Sequence, residues 1–442
     1  MIDFRTNSRA HSRIAALTLL CAAAMFFPAA ADGQSQILFG NKPHKLDLSR
    51  TVVVGDSLSA GFQSDSLLDT QQPHGWASLV TGQAQVPLEL PLIAPPGIPN
   101  VLELVSPGPP PIIVTAPGTS PGRDNPLLQA TDLAVPGQLL DDSLNLRPTF
   151  PIASLTDLVL GLPGLLGGVS KSQVEWAEAL QPTTIFVWIG NNDILGAASA
   201  GDPSAATPLL KFISDYTELM NRLSATGASI VVANIPDVTA IPYFTPTEEI
   251  AEETGLPFVV LGPILGIAPG EYITPTGVAL IPGILANPST GPLPASTVLD
   301  YKKVLETRAI VDAYNVVIAL EAFRKGATLV DIHALVNQIR ARGYKVNGQT
   351  LTNAFLGGLF SLDGIHPTNT GYAVVANQFI QTLDSNRGAK IPVVNVSAIA
   401  ETDPLIPPFT APASAAARSL QNHVTAASAQ SIVTVLNHAK DK

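Results

Sequence analysis

The chain has 442 residues, 46% of them hydrophobic and 13% charged, and its 35 acidic side chains outnumber 24 basic ones for a net charge of −11. That balance leaves no electrostatic footprint for nucleic acid and little attraction for anionic membranes. With Cys21 as its only cysteine the chain has no disulfide framework, so stability must come from packing.

The first thirty or so residues read as a separate object. Arg5, Arg9 and Arg13 form a basic region, Ile14 to Phe27 is almost wholly apolar, and Ala29-Ala30-Ala31 supplies a small-residue cleavage pattern. The expectation is a secretory signal peptide over residues 1–31, cleaved after Ala31, because the apolar run is short for a membrane span. Thr18-Leu19-Leu20 lacks the small residue expected ahead of a lipidated cysteine. Cleavage would remove three arginines against Asp3 alone. The product would be a thiol-free, secreted (extracellular or periplasmic) chain of net charge −13 with no stable membrane span.

Strand-like apolar runs then alternate with helical patterns. Thr51–Val54 is the first strand and Thr131–Val135 a weaker one; Thr183–Gly190 and Ala228–Pro236 are strong, and Ala327–Ala334 closes the series. Helices are expected over Lys171–Leu180, Leu209–Gly227 and Ser296–Gly326. In the second, Leu210, Ile213, Tyr216, Met220 and Leu223 recur at steps of three or four and read as one apolar face. Gly227 and Gly326 are placed to stop their helices. Short, continuously apolar strands between helices imply a parallel sheet covered on both faces, a three-layer α/β/α sandwich. Its reactive groups belong at the carboxyl ends of the strands.

With no internal repeat and no clear linker, residues 32–394 read as one domain with two insertions, and 395–442 as an Ala/Ser-rich tail with a weak amphipathic helix near Ala413–His438. The first insertion, at about 87–126, is dense in proline and is expected to hold little regular structure. The second, at about 240–294, mixes proline, glycine and apolar residues in a manner suited to a lid or a greasy acyl pocket.

Chemistry concentrates in four short blocks. "VVVGDSLSAG" ends an apolar strand at Gly55-Asp56 and exposes Ser57 at the turn, where a following helix would favour negative charge. Serine needs a base. Of the six histidines beyond the signal segment, only His366 sits with an acid and a turn, in "FSLDGIHPTNTGY". Asp363, three residues earlier, can hold the ring's Nδ1–H and leave Nε2 to take the serine proton. "WIGNNDIL" aims the Asn192 amide across the strand ends. "LAVPGQLL" offers a backbone N–H at Gly137, which by itself also reads as an ordinary turn glycine. "GTSPG", Gly118–Gly122, imitates a nucleophile elbow, but Pro121 after its serine has no N–H for an oxyanion, so Ser120 is read as loop.

In this order, Gly55-Asp56-Ser57-Leu58, Gly137, Gly190-Asn191-Asn192-Asp193 and Asp363-Gly364-Ile365-His366 resemble the blocks of GDSL or SGNH-type hydrolases, over roughly Thr51 to Ile391. The resemblance, to a family of secreted or intracellular esterases and lipases, implies a flavodoxin-like sheet and a serine esterase or lipase. Ser57 would be its nucleophile, His366 its base and Asp363 the orienter. The oxyanion hole would be built from the N–H groups of Ser57 and Gly137 with the Asn192 amide. Its substrate is then a small-molecule or lipid ester, and the reaction calls for no metal or cofactor. Two departures stand out: compact members lack the insertions, and Asp132 stands where many members carry asparagine. Two other readings stay open, a polysaccharide O-acetyl esterase acting on acetylated glycan and a non-catalytic binding protein on the same fold.

Overall fold

The computed structural model describes residues 46–108 and 111–409. The expected signal peptide and the helix near Ala413–His438 lie outside the described residues. In chain order the strands are β1 (Thr51–Gly55), an antiparallel ribbon of β2 (Leu102–Ser106) and β3 (Ile112–Thr115), then β4 (Thr184–Trp188) and β5 (Ser229–Ala233). Three two-residue strands follow, β6 (Thr245–Pro246), β7 (Tyr272–Ile273) and β8 (Val298–Leu299). Then come β9 (Thr328–Val330) and a hairpin of β10 (Tyr344–Val346) with β11 (Gln349–Leu351).

The central sheet runs β1-β4-β5-β9, parallel throughout, with Val53 beside Phe186, Phe186 beside Val231 and Val231 beside Thr328. Thr131–Val135 lies along the free side of β1. The Val53 N–H donates to the Thr131 carbonyl (2.9 Å), and the Leu133 and Val135 N–H groups donate to Val53 (3.0 Å) and Gly55 (3.1 Å). With that edge included, the spatial order by chain position is second, first, third, fourth, fifth. This is the flavodoxin-like winding, and its order reverses between β1 and β4. Every residue of β1 and of β4 is buried, which is why both read as unbroken apolar runs rather than alternating ones.

Helices cover both faces. On one, the helices Trp76–Gln83 and Asn369–Arg387 stack Trp76 on Phe379 (3.8 Å between centroids) above Phe186. On the other, Leu209–Ala225 and Tyr301–Lys325 stack Phe212 on Tyr314 (3.9 Å). The Gln173–Ala179 helix starts at Ser172, which caps it reciprocally with Glu175.

Three expectations change. Leu210 is 82% exposed; the buried face of its helix is Phe212, Tyr216, Leu219, Met220 and Leu223, with Ile213 half-buried. Leu210 precedes Phe212 by two residues, about 200° around the helix, and so points to solvent. The helix expected from Ser296 begins at Tyr301, where the Asp300 side chain accepts from the Lys303 N–H (2.9 Å), while Val298 and Leu299 pair with β7. The insertions are also more ordered than their proline content suggests. The first holds β2 and β3. The second holds helices Thr247–Thr254, Phe258–Leu265 and Pro275–Ala286 around a cluster that includes Leu261, Leu265, Ile273, Ile281 and Ile284. Its prolines sit partly where helices tolerate them, Pro275 occupying a first turn that lacks N–H partners anyway.

Candidate active site

β1 delivers Ser57 to the carboxyl edge of the sheet through a turn that only glycine permits. A Cβ on Gly55 would lie 2.4 Å from the Ser59 hydroxyl and 2.8 Å from the Trp188 carbonyl. Asp56, fully buried, clamps the turn: one carboxylate oxygen accepts from the Leu58 N–H (3.1 Å), the other from the Asn191 amide (2.8 Å). The helix expected after Ser57 is reduced to one turn, with the Ser59 and Ala60 N–H groups donating to the Asp56 carbonyl; the next regular helix starts at Trp76. Negative charge at this turn therefore answers to individual N–H groups rather than to a helix dipole.

The structure brings His366 to this turn across 309 positions of sequence. Its Nε2 is 2.8 Å from the Ser57 hydroxyl and its Nδ1 is 3.0 Å from Asp363. A carboxylate only accepts, so Nδ1 carries the proton and Nε2 is left as the acceptor for Ser57. Asp363 is immobilised by the N–H groups of Ile365 and His366 (2.8 Å each) and of Asp65 (2.8 Å). Burial pushes its carboxyl up, but the charge and hydrogen bonds of His366 and the backbone donors outweigh this and hold it below the ordinary carboxylate range. Asp65 behaves oppositely. Burial, reinforced by the Asp363 charge beside it, pushes its carboxyl up, which favours negative charge on the member that faces the imidazole. Phe62 packs against the His366 ring at 4.8 Å. Thr368 caps the helix that follows, accepting from the Gly371 N–H (3.0 Å), and this fixes where the histidine loop ends.

Gly137 and Asn192 lie beside the turn that ends β1, linked to it through the Val135 N–H on the Gly55 carbonyl and the Gln138–Gln173 contact. Gly137 has φ of +82°, a conformation that favours glycine, and among the described residues neither its N–H nor that of Ser57 donates to another protein group. The Asn192 amide donates to the Gln138 carbonyl (3.0 Å), which places it against the Gly137–Gln138 segment with one N–H to spare. The run after β4 works residue by residue. Asn191 holds the nucleophile turn, Asn192 holds the Gly137 loop, and Asp193 accepts from the Leu140 N–H (2.9 Å) and the Thr207 hydroxyl (2.7 Å). Ser120, the residue of the imitated elbow, donates to the Ala94 carbonyl within its loop.

Sequence reasoning missed the platform below. Gln173 is fully buried; its Oε1 accepts from the Gly55 N–H (2.8 Å) and its Nε2 donates to the Gly55 carbonyl (2.9 Å) and to the side chain of Gln138. One side chain thus ties the nucleophile strand to the Gly137 loop. Its only signal was a polar residue on the apolar side of a predicted helix. Asp132 also finds an explanation. Burial pushes its carboxyl up to about 8 against the single Ala134 N–H it accepts, so it sits there as a neutral acid, close in shape and hydrogen-bonding capacity to the asparagine it replaces.

A narrow slot of about 70 Å³ opens beside Ser57, Leu58 and Asn192 and runs under the helix Ile332–Arg342. Among the described residues no charged side chain lines it.

The GDSL-like Lipase/Acylhydrolase family model matches residues 52–379. Among solved structures, an alpha/beta hydrolase enzyme from the metagenome of Lake Arreo, Spain, is 15% identical, with 78% of this chain and 97% of that one covered at a TM-score of 0.36. An acetylxylan esterase from Geobacillus stearothermophilus is 13% identical over 77% of this chain and 96% of its own, TM-score 0.36. The psychrotrophic esterase EstA from Pseudoalteromonas sp. is 12% identical over 76% and 97%, TM-score 0.32. No curated protein matches significantly.

Proposed function

The chain belongs to the GDSL-like lipase/acylhydrolase family of ester hydrolases, and on that premise we propose that it is a secreted serine carboxylesterase working through an acyl-enzyme on Ser57. The observation that carries this reading is the continuous line from Asp363 through His366 to Ser57, at 3.0 and 2.8 Å. In the first half-reaction the Ser57 oxygen attacks the ester carbonyl carbon while its proton passes to Nε2 of His366. The carbonyl electron pair moves onto oxygen, where the Ser57 and Gly137 N–H groups and the Asn192 amide receive it. When that pair returns, the C–O bond to the alcohol breaks and His366 gives the alcohol its proton. Water then attacks the acyl-enzyme by the same route, releasing the carboxylic acid and restoring Ser57. Asp363 stays ionised throughout and stabilises the imidazolium.

A fluorophosphonate probe tests the nucleophile directly. The wild-type protein is expected to be labelled stoichiometrically and Ser57→Ala not at all; a hydrolytically active wild type that resists the probe would overturn the reading. Export belongs to the same proposal. The processed protein is expected to begin at Asp32, and exported protein that retains Met1 would refute cleavage.

A further inference from the structure

We propose that the solvent face of the helix Tyr301–Lys325 is a self-association surface, on which two copies of this chain pair antiparallel about a dyad level with Tyr314. The helix is 25 residues long, and Val304, Val311, Tyr314 and Ile318 bury its inner face. A surface helix ordinarily carries polar residues on the opposite side. Here that side reads Leu305, Ala309, Asp312, Val316, Ala319 and Phe323, at alternating steps of four and three, with Leu320 beside them. Leu305 is 49% and Phe323 77% exposed, and Val316 and Leu320 are exposed as well. This is the spacing of a coiled-coil seam, which calls for a second helix laid along it. The stripe widens at its middle. Thr217 and Asn221 of the helix Leu209–Ala225 hydrogen-bond to Glu321 and Lys325, each across 104 positions. The same offset sets Leu210, the exposed leucine that departs from the expected apolar face, level with Tyr314.

A second copy suits this face because the stripe, reversed about Tyr314, is its own complement. Leu305 meets Phe323 of the second copy, Ala309 meets Ala319, and Asp312 meets Val316. Charge agrees with that direction. Glu306 and Arg324 each follow a seam residue by one position, about 100° round the helix, and so share one flank. Reversal sets each Glu306 beside the other copy's Arg324, making two opposite-charge pairs. The Arg324 side chain is 57% exposed and has N–H groups to spare beyond its bond to Glu321. A parallel pair would instead lay Asp312 on Asp312 and Lys302 on Lys302, and like charges oppose it. Even in the antiparallel pair the two Asp312 carboxylates stand about 6 Å apart along the axis, so they help set register at a cost in strength. The helix is about 37 Å long and a seam about 10 Å wide, which covers roughly 400 Å² on each copy. That is about half a standard interface. The dimer is therefore expected to dissociate in the micromolar range rather than to be obligate.

The test is sedimentation velocity on the full chain from about 1 to 100 µM. A monomer–dimer equilibrium is expected. Phe323→Asp and Leu320→Glu should each weaken it by at least about tenfold with circular dichroism unchanged, and Asp312→Leu should tighten it. Direction is read with thiols in a Cys21→Ser background, which has no other cysteine. Leu305→Cys mixed with Phe323→Cys is expected to give a disulfide-linked dimer. Neither does so alone, because like positions lie about 27 Å apart along the axis. A chain that stays monomeric at about 100 µM, a dimer indifferent to Phe323→Asp and Leu320→Glu, or cross-links between like positions would overturn the proposal. Binding of the monomer to phosphatidylcholine vesicles, lost in Phe323→Asp, would assign the face to a lipid surface and overturn it equally.

Discussion

The crevice at the ends of β1 and β4 and the insertion between Thr245 and Leu299 hold themselves together by opposite means. In the crevice the buried groups are polar. Asp56, Gln138, Gln173, Asn192, Asp193 and Asp363 are nearly inaccessible, and each is hydrogen-bonded to a different segment of chain. In the insertion the buried centre is Leu261, Leu265, Ile273, Ile281 and Ile284, touching one another without direction. Apolar packing stabilises cheaply but specifies orientation loosely. A satisfied polar network costs desolvation and in return fixes where each atom points. The chemistry sits where atoms must be aimed.

Substitutions can break that contrast, beginning at its sharpest point. Ser57→Ala is expected to lower kcat by about 10⁶ with the fold intact by circular dichroism; a loss under about a hundredfold would remove Ser57 as nucleophile. Asn192→Ala should cost about 10²–10³ in kcat with little change in KM, on the proposal that the amide acts on the developing oxyanion. Leu261→Ala in the insertion should cost about 2–5 kcal/mol of stability in urea, yet change short-ester turnover by less than about twofold because it shares no partner with the crevice. A large kcat effect there would show that the insertion helps position the site. Gln173→Leu should destabilise by about 1–3 kcal/mol, because it leaves the buried Gly55 N–H without its partner. It should also lower kcat more than it raises KM; equal and small effects would reduce Gln173 to packing.

The mildest change sharpens the contrast through pH. The Asp132 carboxyl is held at about 8 in the folded protein against 3.8 ordinarily. Below about pH 4 both states keep the proton and its contribution is whole. Between there and pH 8 the unfolded chain sheds the proton while the folded one retains it, so stability declines as pH rises. Asp132→Asn removes this decline and is expected to raise Tm at pH 8 while changing it little near pH 4. An equal shift at both pH values would contradict a neutral buried acid.

Several parts of this molecule could be read from residues alone because their signals are local. β1, β4 and β5 show as unbroken apolar runs since both faces of the sheet are covered. The pairing of Asp363 with His366 spans a single turn, so spacing suffices to suggest it. Other parts have no local signal. Leu210 fits the helical period as well as Phe212 does, and only the neighbouring layer decides which of the two is covered. Two of the three helices of the second insertion are interrupted by prolines, Pro263 and Pro282, and their own packing holds them.

The sequence by itself indicated a parallel sheet covered on both faces and which side chains could supply nucleophile, base, orienter and oxyanion donors. It could do so because strand periodicity and short-range hydrogen bonding are properties of neighbouring residues, whereas the winding was implied only by the family resemblance. Only the tertiary structure decided that Ser57 meets His366 at 2.8 Å, that Gln173 lies against Gly55 at the end of β1, and that a slot lined by no charged side chain among the described residues opens beside Ser57. Those facts arise where distant segments converge, and the free energy of that convergence is set by packing across the whole core rather than by any stretch of chain within it.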